Sequence, residues 1–201
     1  MENSVIFPLF YLPPVEFYRQ LIDNKDKTIL FEKEEHFPKQ TYRNRTSIYG
    51  PNGKLNLIVP VVKGSTVHTK VKDVKISYDE DWQRLHWLSI QTSYRSSAYF
   101  EFYEADFAPF YEKKYPYLFD YNLELFDMLK KQLKLKIDVD FSKTYSTDYE
   151  LDFRENIHPK KESNYKAKPY YQVFEDKYKF MPNLSVIDLL FSQGPQASKY
   201  I

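Results

Sequence analysis

An α/β fold with a mixed sheet is what the sequence predicts, and three observations predict it. The chain opens strand, helix, strand. An Asn-Gly turn then separates two alternating runs, and three later segments carry apolar residues at helical spacing. Together they predict a β-α-β opening, a β-hairpin and several helices packed on the sheet. At 201 residues the chain is read as a single domain over 1–201. A domain of this size buries roughly 70% of the surface of its unfolded chain.

The elements follow in order. "SVIFPLF", residues 4–10, is a short apolar strand. "PPVEFYRQLIDN" follows it, with Pro14 suited to a helical first turn and Val15, Tyr18 and Leu21 on one face. "TILFEK", residues 28–33, is the second strand, so the opening reads as a parallel pair with a crossover helix. Asn52-Gly53 is a strong type I′ turn signal, and as a two-residue loop it sets Ile48 opposite Leu57 and Thr46 opposite Val59. In that register Asn44 falls on the apolar face, and Arg43, Arg45, Ser47 and Tyr49 share the other face.

"VKDVKISY", residues 71–78, alternates and predicts a strand. "DEDWQRLHWLSIQTSY", residues 79–94, sets Trp82, His86, Ile90 and Tyr94 four apart, with Asp79 or Asp81 as the cap. "SAYFEFYEADF" predicts another helix that Pro109 should end or restart. "DYNLELFDMLKKQLKL", residues 120–135, carries the stripe Leu123, Phe126, Leu129 and Leu133. Residues 143–169 are polar and are expected to be a mobile segment or a lid. "YYQVF" reads as a strand, and "NLSVIDLLFSQGP" as a helix between Ser185 and Gly194.

Composition narrows the function. The 29 basic residues nearly balance the 28 acidic ones, which argues against a nucleic-acid partner. The chain has no cysteine, so disulfides, thiolate metal sites and a cysteine nucleophile are excluded. His36, His68, His86 and His158 are scattered without metal-ligand spacing, so no metal is expected. The glycines Gly50, Gly53, Gly64 and Gly194 compose neither GxGxxG nor a Walker loop, and no cofactor is expected. The N-terminus lacks signal-peptide character, and no run approaches the roughly 18 apolar residues of a membrane span. The expected location is the cytoplasm, and the oligomeric state is left open. The 19 Tyr and 16 Phe are read mainly as core.

Five residues are candidate ligand contacts. Arg43 and Arg45 present guanidinium forks suited to phosphate or carboxylate, Lys39 adds a point charge, and Asn44 holds the loop. Tyr11 follows the first strand, where open α/β sheets bind ligands. His86 is the candidate catalytic base, since histidine titrates near neutrality. The expected ligand is an anionic small molecule such as a nucleotide-sugar.

Five segments, "YLPPVEFYRQL", "KQTYRNRTSIYGPNGKLNLIVPV", "DWQRLHWLSIQTSYRSSAYFEFYEADFAPFYE", "LFDYNLELFDMLKKQL" and "NLSVIDLLFSQGP", together resemble the WbqC-like family of bacteria. The NR-x-x-I before the P-N-G turn is the most specific part. The chain departs from the family opening, in which Gln-Pro precedes the YLP and a tryptophan follows; Leu9-Phe10 and Pro14 stand there instead. The resemblance implies a place in O-antigen and related surface-polysaccharide biosynthesis, with amino-acid transfer, glycine onto an amino sugar, as the suggested reaction. Two classes stay open: a group transferase, or a non-enzymatic protein recognising a glycan precursor or a biosynthetic partner.

Overall fold

The computed structural model describes residues 3–62 and 68–201. Strand β1 (Ser4–Pro8) is buried along its whole length and pairs in parallel with β2 (Thr28–Glu32), in the register Ser4 with Thr28 to Pro8 with Glu32. Helix α1 (Val15–Asp23) makes the crossover, as the β-α-β opening requires. Its buried Phe17 meets Phe7, Phe31 and Phe126, with ring centroids 5.8, 6.2 and 6.4 Å away. The free N–H groups at its start are met from far along the chain: Val15 N donates to Leu184 O and Glu16 N to Asn183 Oδ1.

The α/β class, the opening and the hairpin are as the sequence predicts. The hairpin of β3 (Arg45–Gly50) and β4 (Gly53–Ile58) forms its own two-stranded antiparallel sheet. Its register is two residues away from the expected one: Gly50 pairs with Gly53, Ile48 with Leu55 and Thr46 with Leu57. The loop is therefore Pro51-Asn52. Proline explains the shift, because a residue flanking a two-residue loop must donate its N–H to the ladder, and Pro51 has none. Gly53 takes the positive φ of 97° instead. A shift of two preserves which face each residue presents.

Helix α2 (Trp82–Tyr94) buries the expected Trp82, His86, Ile90 and Tyr94. Asp81 does not cap it; its carboxylate meets Arg84 at 2.9 Å. Helix α3 (Phe100–Glu112) runs through Pro109 rather than stopping there. The carbonyl deprived of its partner belongs to Ala105, on the exposed side of the helix. Helix α4 (Leu118–Gln132) packs Phe126 edge-on against Phe31, at 4.9 Å.

Two segments read as strands are not strands. Residues 71–78 start with a 3₁₀ turn at Val71–Asp73 and continue as a connector. Ile76 N donates to Pro116 O and Ser77 N to Pro60 O. Both partners are prolines, which accept but cannot donate, so no ladder propagates. In "YYQVF" the Gln172 side chain takes the place of a strand neighbour, accepting from Met181 N at 2.8 Å and donating to Met181 O at 2.9 Å. The short helix α5 (Glu175–Tyr178) follows.

The parallel sheet is completed by two-residue strands. β5 (Asp140–Phe141) lies beside β2, and β6 (Leu151–Asp152) lies beside β1. The order is β5-β2-β1-β6, all parallel, so the carboxyl ends collect along one edge. β6 lies within the polar stretch 143–169, which also carries Arg154 into the core.

Helix α6 (Val186–Gln193) closes the fold and ends at Gly194, whose φ is 51°. A Cβ there would lie 2.4 Å from Tyr99 Cδ1. Gly194→Ala is expected to cost about 1–3 kcal/mol, from backbone strain and displacement of the Tyr99 ring. Urea denaturation reads this, and an unchanged midpoint would mean that the ring moves aside freely.

Candidate functional site

Past the end of β1 the chain turns sharply. Leu12 has φ 41°, a left-handed conformation for a bulky residue, and its carbonyl accepts from Thr46 Oγ1 at 2.7 Å and Ser185 Oγ at 3.0 Å. That turn buries Tyr11 completely. Its hydroxyl lies 2.9 Å from His86 Nδ1 and 3.1 Å from Tyr111 Oη.

His86 is buried beside Trp82, with ring centroids 5.1 Å apart. Burial holds its pKa down at about 4, against a hydrogen bond to the Ile58 backbone that favours the charged form. The imidazole is thus neutral near pH 7. Tyr11 donates to Nδ1, and the ring N–H serves the Ile58 carbonyl, which fixes the tautomer. Burial also raises Tyr11 far above an ordinary phenol, so it keeps its proton. The pair therefore has a neutral acceptor nitrogen behind a hydroxyl donor.

Arg45 is paired with Ile58, the residue whose backbone holds His86. With Lys39, Asn44 and Phe37 it lines a cleft of about 230 Å³. No carboxylate pairs with Arg45 among the described residues, and its Nε is buried without a partner. Asn44 donates to Val59 O at 2.9 Å and accepts Val59 N on its own carbonyl at 2.8 Å, clamping the base of the hairpin. Its Oδ1 has no partner. Lys39 is exposed.

Arg43 does not join them. It precedes β3, so the strand face expected to align it with Arg45 does not extend to it. It is 1% exposed, and its Nε and Nη2 reach Glu35 Oε1 at 2.8 and 2.5 Å. The structure thus brings together Lys39, Asn44 and Arg45 at one cleft, and Tyr11 and His86 in the core behind β4.

Unpartnered buried polar atoms gather around this region. Besides Arg45 Nε and Asn44 Oδ1 they include Trp82 Nε1, Asn122 Oδ1 and Arg43 Nη1. Contacts connect them: Trp82 packs on Tyr121 at 5.7 Å, Tyr121 on Tyr11 at 5.8 Å, and Asn122 Nδ2 donates to Arg43 O at 2.7 Å. Orphaned polar atoms in a native interior call for water or a ligand group.

A second polar group was not anticipated. Glu32 is fully buried at the carboxyl end of β2, accepting from Ser142 Oγ at 2.7 Å and Arg154 Nη1 at 3.1 Å. Arg154 also holds Asp152. The only sequence signal is "FEKEE", three carboxylates at and just past the end of a strand.

A sequence profile of the WbqC-like protein family matches residues 10–160. The chain belongs to the WbqC-like protein family. The match begins just before Tyr11 and contains the hairpin, His86 and Arg154. An uncharacterised protein of Mycobacterium tuberculosis is 25% identical, covering 100% of this chain and 98% of its own. No solved structure matches the chain. Membership in the WbqC-like family supports a general biosynthetic role. Among the described residues no helix is long and apolar enough to cross a membrane.

Proposed function

We propose that this WbqC-like protein is a group transferase of bacterial surface-polysaccharide biosynthesis that holds an anionic sugar precursor, such as a nucleotide-sugar, at the Arg45 cleft. The observation carrying this reading is the unpaired Arg45 guanidinium beside Asn44 and Lys39, among orphaned polar atoms. An arginine with no carboxylate partner among the described residues is available to an external one or to a phosphate. The Asn44 clamp holds the hairpin base rigid, so the fork is pre-organised. Asn122 holds the backbone of Arg43, the residue just before Asn44, and so steadies the entry to the hairpin.

For the chemistry, the proposed step is aminoacyl transfer, glycine to the amine of a sugar. The amine attacks the activated carbonyl, the new C–N bond forms, and the bond to the carrier breaks with the electron pair leaving on the carrier. Tyr11 takes the amine proton as it passes its own to His86 Nδ1, the neutral nitrogen its hydroxyl already faces. A second reading, a non-enzymatic receptor for a glycan precursor, is supported by the burial of both Tyr11 and His86.

A thermal-shift screen of nucleotide-sugars and aminoacyl compounds tests the reading, because a ligand of the native state raises stability by RT ln(1 + [L]/Kd). Arg45→Ala is expected to weaken binding by roughly 1.5–3 kcal/mol and Arg45→Lys to lose affinity too, with the fold intact. His86→Gln should spare binding and reduce turnover. If Arg45→Ala unfolds the protein while affinity per folded molecule is unchanged, Arg45 is structural. Binding without turnover for any acceptor selects the receptor.

A further inference from the structure

The carboxyl edge of the parallel sheet carries a larger cleft, of about 570 Å³, away from Arg45. Its walls come from the chain leaving β2, which contributes Glu35 and His36, from the chain leaving β5, which contributes Lys143 and Tyr145, and from Glu155 just past β6. Ligands of open α/β sheets bind outside the carboxyl ends of the strands, and this volume is within the roughly 300–1,000 Å³ of ligand sites. We propose that this cleft is a second binding site, for an uncharged sugar ring seated on Tyr145. The inference goes beyond the reading of the Arg45 cleft and does not depend on it.

Charge bookkeeping excludes the commonest alternative. Glu34 is taken up by Lys70 and Lys72, each at 2.7 Å, and Glu35 by Arg43. That leaves Glu155 and Lys143, both exposed and without an ion pair among the described residues, one of each sign. The lining itself carries three carboxylates, Glu34, Glu35 and Glu155, against two lysines, Lys70 and Lys143, so it has no surplus positive charge to recruit phosphate. It does offer hydrogen-bonding groups of both senses. Glu35 takes its bonds on Oε1, which leaves Oε2 to accept, Glu155 accepts, and Lys143 and Thr144 donate. Sugar hydroxyls donate and accept at once, so they satisfy such an array where a phosphate, which only accepts, does not.

Tyr145 supplies the apolar part. It is 57% exposed, unusual for a large aromatic side chain, and it lines the cleft. It is also held in place. The Arg154 guanidinium lies 4.8 Å from its centroid, and Arg154 is itself fixed by Glu32 and Asp152. A half-exposed ring braced by that contact presents a flat apolar face, and the C–H face of a pyranose suits it. Cation–π contact with Arg154 anchors the ring without covering it. The turn at residues 36–39 separates this cleft from that of Arg45, since His36 and Pro38 line one and Phe37 and Lys39 the other. A transferase with two substrates would find its second seat here.

The test is saturation-transfer NMR on the full chain, with glucose, galactose and N-acetylglucosamine as probes and inorganic phosphate as competitor. At least one sugar should receive saturation, and phosphate should not displace it. Tyr145→Ala should weaken that sugar by about tenfold or more, and Glu155→Gln by severalfold. Tyr145→Phe, which keeps the stacking face, should retain it. Arg45→Ala should leave it unchanged, which separates this site from the anion cleft. The proposal is overturned if none of the three sugars binds, if phosphate displaces the sugar, or if binding survives Tyr145→Ala in a variant with native circular dichroism.

Discussion

Arg43→Ala is expected to lower the unfolding free energy by roughly 3–5 kcal/mol, the usual cost of removing one partner of a buried ion pair. The guanidinium is sealed from solvent, and two of its nitrogens converge on one Glu35 oxygen. Burial already pushes the Glu35 carboxyl up, and Arg43 is the largest opposing influence, with the Glu32 charge adding repulsion. Without the arginine, Glu35 either protonates or stays charged and unpaired beside Glu32, and both outcomes cost stability. The double variant Arg43→Met with Glu35→Leu should recover most of the loss, because a buried pair is worth little more than a well-packed apolar one. Urea denaturation of the wild type, Arg43→Met, Glu35→Leu and the double variant closes the cycle. A stable Arg43→Ala that has lost nucleotide-sugar affinity would reassign Arg43 to the ligand, the role its sequence position predicts.

Arg43 also marks where the sequence stops being legible. Two arginines two apart on a strand do share a face, and that argument is sound wherever the strand extends. Whether it reaches Arg43 depends on Glu35, which a loop brings alongside, and periodicity carries no record of such a partner. The α2 stripe was legible because its four residues obey one local period. β5 and β6 were not, because each is two residues long and pairs with a strand more than a hundred residues earlier. The Gln172 side chain mimics a strand edge, so "YYQVF" looks like a strand without being one. At the candidate site, Tyr11, Asn44, Arg45 and His86 were visible as types suited to ligand chemistry. The link between them, His86 bonded to Tyr11 seventy-five residues away, is a product of packing alone.

The pH dependence of stability should expose two buried groups that conceal each other in the wild type. Burial lowers His86 from 6.5 to about 4. Between those values the unfolded chain binds a proton that the native one refuses, so this contribution is present above pH 6.5 and is lost as the pH falls toward 4. Asp188 behaves oppositely. It is fully buried in α6, accepting from Tyr170 Oη and Gln172 Nε2 at 2.8 Å each, and burial raises it from 3.8 to about 6. Here the native state holds the proton longer, so the contribution is present below pH 3.8 and is lost as the pH rises to about 6. Each shift exceeds two pKa units, which corresponds to about 3 kcal/mol, and over pH 4–6 the two slopes nearly cancel. His86→Gln should therefore leave Asp188 unopposed, and its stability relative to wild type should fall by about 3 kcal/mol as the pH rises from 4 to 6.5. Asp188→Asn should do the reverse and gain on the wild type over the same range. Neither Tyr11 nor Tyr170, the tyrosines bonded to these groups, titrates there, since burial raises both. Urea midpoints at half-unit pH steps would measure it. Parallel curves for wild type and His86→Gln would show that His86 is protonated as easily in the fold as outside it, and would remove the neutral acceptor from the proposed chemistry.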